Sequence, residues 1–130
     1  MKTKILFSIF FAIAIGVHIK DVIDGNGKDL LWHCYYFVTY GICWAMIFSN
    51  NKWNYLIFSL SAIFPFSTHL YYGYQHFPFF DRLFWICVIV CFTLIYGIFW
   101  LREKLKAKLV KESKLIMNDS MSILHEYEKL

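Results

Sequence analysis

Four of the five histidines lie in or beside long apolar segments, where ionisable side chains are unusual. His18, His33, His69 and His76 each fall near one end of an apolar run, whereas His125 lies in a charged C-terminal segment. Neutral imidazole is a good ligand for zinc, iron and copper. Histidines from several segments therefore favour a transition-metal site, provided that the fold brings them together.

Carboxylates accompany these histidines. Asp21 follows His18 by three residues, so the two share a helical face, and Asp81 directly precedes the last apolar run. A carboxylate in this position is suited to bind the metal, to hold an imidazole ring in place or to act as a general base. The candidate catalytic residues are Asp21 and Asp81, and the candidate metal ligands are His18, His33 and His69.

His76 follows His69 by seven residues, about 10 Å along a helix, so a straight helix cannot offer both to one ion. We expect His76 at the entrance of the site or as an alternative ligand. No HxxxH or HExxH motif is present. Three other interpretations stay open: histidines in an interfacial aromatic belt, a haem between His33 and His69, and a site for a polar substrate or a proton.

The cysteines argue against two other kinds of site. None of Cys34, Cys43, Cys87 and Cys91 forms a CxxC pair, and all lie inside apolar runs. Buried cysteines usually behave as small apolar residues. The spacing therefore counts against a zinc finger and against a quinone-linked thiol oxidase.

The composition predicts a membrane protein. Hydrophobic residues make up 59% of the chain and charged residues only 17%, which leaves too little polar surface for a soluble domain of this size. Four apolar runs, 5–23, 30–48, 53–72 and 83–101, are each long enough as a helix to cross roughly 30 Å of hydrocarbon. The first run continues beyond Ala14, so we expect it to be retained rather than cleaved as a signal peptide. Residues 1–101 are thus predicted to form an all-α, integral membrane, four-helix antiparallel bundle.

The distribution of lysine and arginine predicts the orientation. Ten of them fall on the side of the two termini, and three, Lys20, Lys28 and Arg82, fall on the other. The positive-inside rule places both termini in the cytoplasm, with the chain crossing the inner or plasma membrane several times. Residues 102–130 are predicted to form a charged cytoplasmic helical tail, interrupted near 118–120. The net charge of +4 belongs to these flanks, so nucleic acid is not expected as a partner.

These features favour a small polytopic membrane protein with a metal-binding or metal-dependent hydrolytic site at its extracytoplasmic face, although they leave open whether it is an enzyme. One alternative is a non-catalytic structural or assembly subunit whose tail binds a cytoplasmic partner. Another is a small transporter, which with four spans would need to be a homo-oligomer. The expected partners are the lipid bilayer and, in the two alternatives, other membrane subunits or further copies of the chain. The expected cofactor is zinc, iron or copper.

Overall fold

The computed structural model describes residues 1–25, 29–77 and 81–130, and these form four α-helices. The helices are α1 (Lys2–Asp24), α2 (Leu30–Phe48), α3 (Asn54–Gln75) and α4 (Arg82–Tyr127). The prediction of an all-helical chain with four helices is confirmed, and the predicted bounds of the first three are matched within three residues. Parts of the connections that follow α1 and α3, namely 26–28 and 78–80, lie outside the described residues.

Side-chain contacts show that α1, α2 and α3 alternate in direction. At one end, His18 near the end of α1 lies beside His33 at the start of α2 and His69 near the end of α3. We call this the histidine end. At the opposite end, the Trp44 indole of α2 donates a hydrogen bond of 3.1 Å to the Ser8 hydroxyl of α1. The short connections thus produce the predicted alternation of direction.

Aromatic rings fill the centre of the bundle. Phe11 of α1 lies between Tyr40 of α2 and Phe58 of α3, with ring centroids 6.0 Å and 6.4 Å away. All three side chains are completely buried. Phe58 also packs against Gly97 of α4, which lacks a side chain at the point of contact. The core therefore joins all four helices through ring contacts.

The contact at Gly97 gives a test of this packing. A Cβ atom there would lie 2.6 Å from Cζ of Phe58, whose buried ring has little room to move. We expect Gly97→Ala to lower the free energy of unfolding by about 1–3 kcal/mol, measured by SDS titration in mixed micelles. Gly41→Ala is the matched control, because its Cβ meets nothing within 4 Å and alanine favours the helix. Equal losses in the two variants would contradict the packing.

By length and composition, three helices are able to cross a membrane: α1, α2 and α4. Within the described residues, three of the four predicted spans are thus long and apolar enough to cross a membrane. Helix α3 is long enough but less apolar, because it contains Ser, Thr, His and Pro residues within its apolar run. Pro65 lies inside α3 and does not end it.

Helix α4 continues far beyond the bundle. The predicted interruption near 118–120 is wrong, because one helix runs from Arg82 to Tyr127. No glycine or proline follows Gly97, and the Ser120 hydroxyl donates a 2.9 Å hydrogen bond to the Ile116 carbonyl inside the helix. Polar residues that bond to their own helix need not end it. Residues 106–130 are all exposed.

Candidate metal site

His18 and His33 form a close pair at the histidine end. His18 lies in the last two turns of α1, and His33 lies in the first turn of α2. Their Nδ1 atoms are 3.1 Å apart. Unless another atom lies between the two nitrogens, one imidazole must carry a hydrogen on Nδ1 and donate a hydrogen bond to the unprotonated Nδ1 of the other. The antiparallel pairing of α1 and α2 thus brings together two of the predicted ligands.

Asp21 completes a group of three possible ligands. It lies about one turn after His18, and the ligand atoms of His18, Asp21 and His33 all lie within 4.8 Å of one another. The two histidines are half-buried, and Asp21 is exposed. Within 1–25, 29–77 and 81–130, this is the group of His, Cys, Asp and Glu side chains that meets this spacing.

The distance between the two imidazoles is close to that of ligands on a single ion. Two nitrogens bound to a tetrahedral zinc ion at about 2.0–2.1 Å lie roughly 3.3 Å apart. The observed 3.1 Å separation of the Nδ1 atoms differs from this by only a few tenths of an ångström. The separation of the two imidazole nitrogens is therefore compatible with two ligands of one ion, whereas the exposed Asp21 side chain would have to move to become a third.

His69 lies beside this group with its ring already oriented. Its Nδ1–H donates a hydrogen bond of 2.6 Å to the Pro65 carbonyl one turn earlier, which leaves Nε2 as an acceptor. Its ring centroid is 6.4 Å from that of His18, with the planes at 81°. A backbone carbonyl commonly orients a metal-bound histidine in this way. The structure therefore brings the three predicted imidazoles into one cluster, with His69 at its edge.

Tyr36 and Thr68 support the cluster, and neither was predicted as a site residue. The Tyr36 ring stacks on His18 with centroids 4.1 Å apart and planes at 11°. Its hydroxyl donates a 2.7 Å hydrogen bond to Oγ1 of Thr68 in α3. This hydrogen bond joins α2 to α3 and holds the Tyr36 ring in its position against the His18 ring. Tyr36 lies three residues after His33, which was a usable signal, but nothing in the sequence distinguished Thr68.

Tyr40 contributes a buried hydroxyl for which the described residues provide no hydrogen-bond partner. Its ring centroid lies 5.9 Å from that of His18 and 6.4 Å from that of His69. An unpaired buried hydroxyl costs about 1–3 kcal/mol relative to a paired one. A polar group next to the imidazole cluster is therefore more consistent with a site for a polar ligand than with purely apolar packing.

His76 and Asp81 form a separate pair. Nδ1 of His76 lies 2.6 Å from Oδ2 of Asp81, and Oδ1 of Asp81 accepts a 2.9 Å hydrogen bond from the Phe84 amide. Asp81 thus caps α4 as its position predicts. The Phe84 amide, and then His76, lower the pKa of the Asp81 carboxyl, so this interaction is present at neutral pH and is lost as the pH falls through the lowered pKa. The structure does not bring either residue into the group around His18.

No protein-family model, no curated protein and no solved structure matches this chain. The functional assignment therefore depends on the geometry and chemistry of the residues described above.

Proposed function

We propose that this chain is an integral membrane protein with four spans and cytoplasmic termini, and that its histidine end binds a transition-metal ion, zinc being the best fit. The metal proposal depends on one observation. Two imidazole nitrogens from different helices lie 3.1 Å apart, with a carboxylate within 4.8 Å of both. The membrane proposal depends on the outer surface of the bundle.

That surface is apolar on all four helices. Ile13 of α1, Val38 of α2, Ile63 of α3 and Phe92 of α4 are each more than half exposed, although they lie in the middle of their apolar runs. Soluble monomers rarely expose apolar patches of this extent. Hydrocarbon is the solvent in which such an apolar surface is stable. Helices are suited to it because they satisfy their own backbone hydrogen-bonding groups.

The polar residues of α3 are compatible with a fourth span. The Ser59 hydroxyl donates to the Tyr55 carbonyl at 2.8 Å, and the Thr68 hydroxyl donates to the Phe64 carbonyl at 2.9 Å. These bonds satisfy the hydroxyl protons inside the helix, which lowers the cost of placing them in lipid. At 1.5 Å per residue, α3 is about 33 Å long, enough to cross the hydrocarbon layer.

The end opposite the histidines has the character of a cytoplasmic interface. Lys4, Lys52 and Lys104 come from three parts of the chain, and each lies 4.7 to 5.7 Å from the centre of an aromatic ring. Lysines beside aromatic rings are typical of the headgroup layer, and their excess marks the cytoplasmic side. This end carries both the N-terminus and the start of the tail, which supports cytoplasmic termini and an extracytoplasmic histidine end.

A zinc ion at this site would be suited to catalyse hydrolysis. Three protein ligands leave a tetrahedral zinc ion one position for water or substrate, which is the arrangement of hydrolytic zinc sites. If His69 takes the place of Asp21 as the third ligand, the exposed Asp21 carboxylate is free to act as a general base. The site lies near the proposed membrane surface, so the favoured activity is metal-dependent hydrolysis of a lipid-like substrate.

Metal analysis of the full-length protein tests the proposal. Protein purified in detergent and loaded with zinc should retain stoichiometric metal after gel filtration, as measured by elemental mass spectrometry. The metal should be released at about pH 5, because protons compete with the metal for the imidazole nitrogens. Folded protein that retains no zinc, iron or copper after loading at neutral pH would overturn the metal site and leave the membrane proposal intact.

A further inference from the structure

The exposed part of α4 carries an apolar face with regular spacing. Adjacent apolar pairs repeat every seven residues along it: Leu109, Val110, Ile116, Met117, Ile123 and Leu124. At 3.6 residues per turn these pairs lie on one side of the helix. We call this side, together with Ser113 and Ser120 between the pairs and Tyr127 after the last pair, the tail face. It covers roughly 140° of the helix and contains no charged residue from Leu109 to Tyr127.

The serines at the middle of the tail face do not make it polar. The Ser113 hydroxyl donates to the Val110 carbonyl at 2.9 Å, and the Ser120 hydroxyl donates to the Ile116 carbonyl at 2.9 Å. Both protons are therefore satisfied within α4. Their small side chains allow a second helix to approach closely along the centre of the face.

The membrane surface is a poor partner for the tail face. Helices that lie on anionic membranes are rich in lysine and arginine, whereas the segment 109–130 has three lysines against four carboxylates. The helix has no glycine or proline after Gly97 at which it would bend back toward the bilayer. The basic residues closest to the bundle, in 102–108, are those suited to contact headgroups.

We propose that the tail face packs against the same face of further copies of this chain, to give a parallel homo-oligomer. In the proposed orientation, every copy projects its tail from the same side of the membrane at the same height, so the seven-residue repeats are in register. A seven-residue apolar repeat is the periodicity with which helices pack along one another in parallel bundles. Two-dimensional confinement also raises the effective concentration of the tails.

Charge on the borders of the tail face agrees with this arrangement. Glu112, Asp119 and Glu126, again seven residues apart, border one side, whereas Lys114 borders the other. In a parallel bundle, the acidic border of one tail meets the basic side of its neighbour. The inference depends on the proposed membrane insertion and does not depend on the metal site.

Cysteine cross-linking of the full-length protein in membranes tests the geometry. In a Cys34→Ser background, Ser113→Cys and Ser120→Cys should each form disulfide-linked dimers on mild oxidation. Ser122→Cys is the matched control, because it lies about 200° around the helix from Ser120 and should remain monomeric. Cross-linking at Ser120 without Ser113 would indicate antiparallel tails, and equal cross-linking at Ser122 would indicate random collision; either result overturns the proposal.

The mass of the detergent-solubilised protein gives a second measurement. The wild type should be oligomeric by light scattering, and Ile116→Glu should reduce it to a monomer. Leu115→Glu should leave the oligomer intact, because Leu115 lies about 150° around the helix from the centre of the tail face. Ile116→Glu should retain the metal content of the wild type, which separates this test from the metal proposal. A monomeric wild type would refute self-association. Binding of an unrelated soluble helix to the tail face of such a monomer would not rescue the proposal.

Discussion

His33→Ala is expected to weaken zinc binding by roughly 100-fold or more, because loss of a residue that merely orients a ligand already costs 10- to 100-fold. The imidazole of His33 provides one of the two nitrogens that lie 3.1 Å apart. His18→Ala should have a similar effect, since it removes the other nitrogen. The measurement is a competition titration between the detergent-purified protein and a chelator that reports free zinc.

Two further histidines provide controls of the same residue type. His76→Ala should bind zinc like the wild type because His76 pairs with Asp81 outside the cluster, and His125→Ala should do so because His125 lies in the exposed tail. Equal losses in His33→Ala and His76→Ala would show that zinc binds nonspecifically to exposed imidazoles. A loss in His69→Ala comparable to that in His33→Ala would identify His69 as a direct ligand.

Ile63→Arg is expected to destabilise the protein by about 2.5–3.5 kcal/mol, the cost of placing arginine at the centre of a membrane span. Ile63 lies in the middle of α3 with 57% of its surface exposed. In water an arginine would be tolerated there, so a large effect requires lipid around α3. The measurement is the free energy of unfolding in bicelles, together with the fraction of expressed protein that enters the membrane.

Leu115→Arg is the matched control for this prediction. Leu115 is 55% exposed, nearly the same as Ile63, but it lies on the charged side of the tail. Its replacement should change the stability of the bundle by less than about 0.5 kcal/mol, as for other surface substitutions. If Ile63→Arg is equally harmless, α3 lies in water, and the proposed four-span topology is wrong.

The helices were predictable because their apolar runs match a single physical requirement, the length of a helix that crosses hydrocarbon. The bounds of α2 agree with the apolar run at both ends. The continuation of α4 was not predicted, because Asn118, Asp119 and Ser120 usually favour turns. Residue types alone do not show that the Ser120 hydroxyl forms a hydrogen bond within its own helix.

The candidate site was predictable only in part. The positions of His18, His33 and His69 near the ends of their apolar runs placed them at the same end of the bundle, and the structure brings them together. The pairing of His76 with Asp81 depends on the path of the chain between α3 and α4, which periodicity does not specify. The stacking of Tyr36 on His18 depends on the rotation of α1 against α2, which is set by the whole aromatic core.

The unbroken α4 has a mechanical consequence. Because one helix runs without interruption from Arg82 to Tyr127, the exposed tail and the part of α4 packed in the bundle share one helical axis, with no flexible break between them. A rotation imposed at Leu124 is therefore transmitted along the helix toward Gly97, which packs closely against the ring of Phe58. The proposed clustering of the tails would thus restrict the rotation of α4 within the helical bundle.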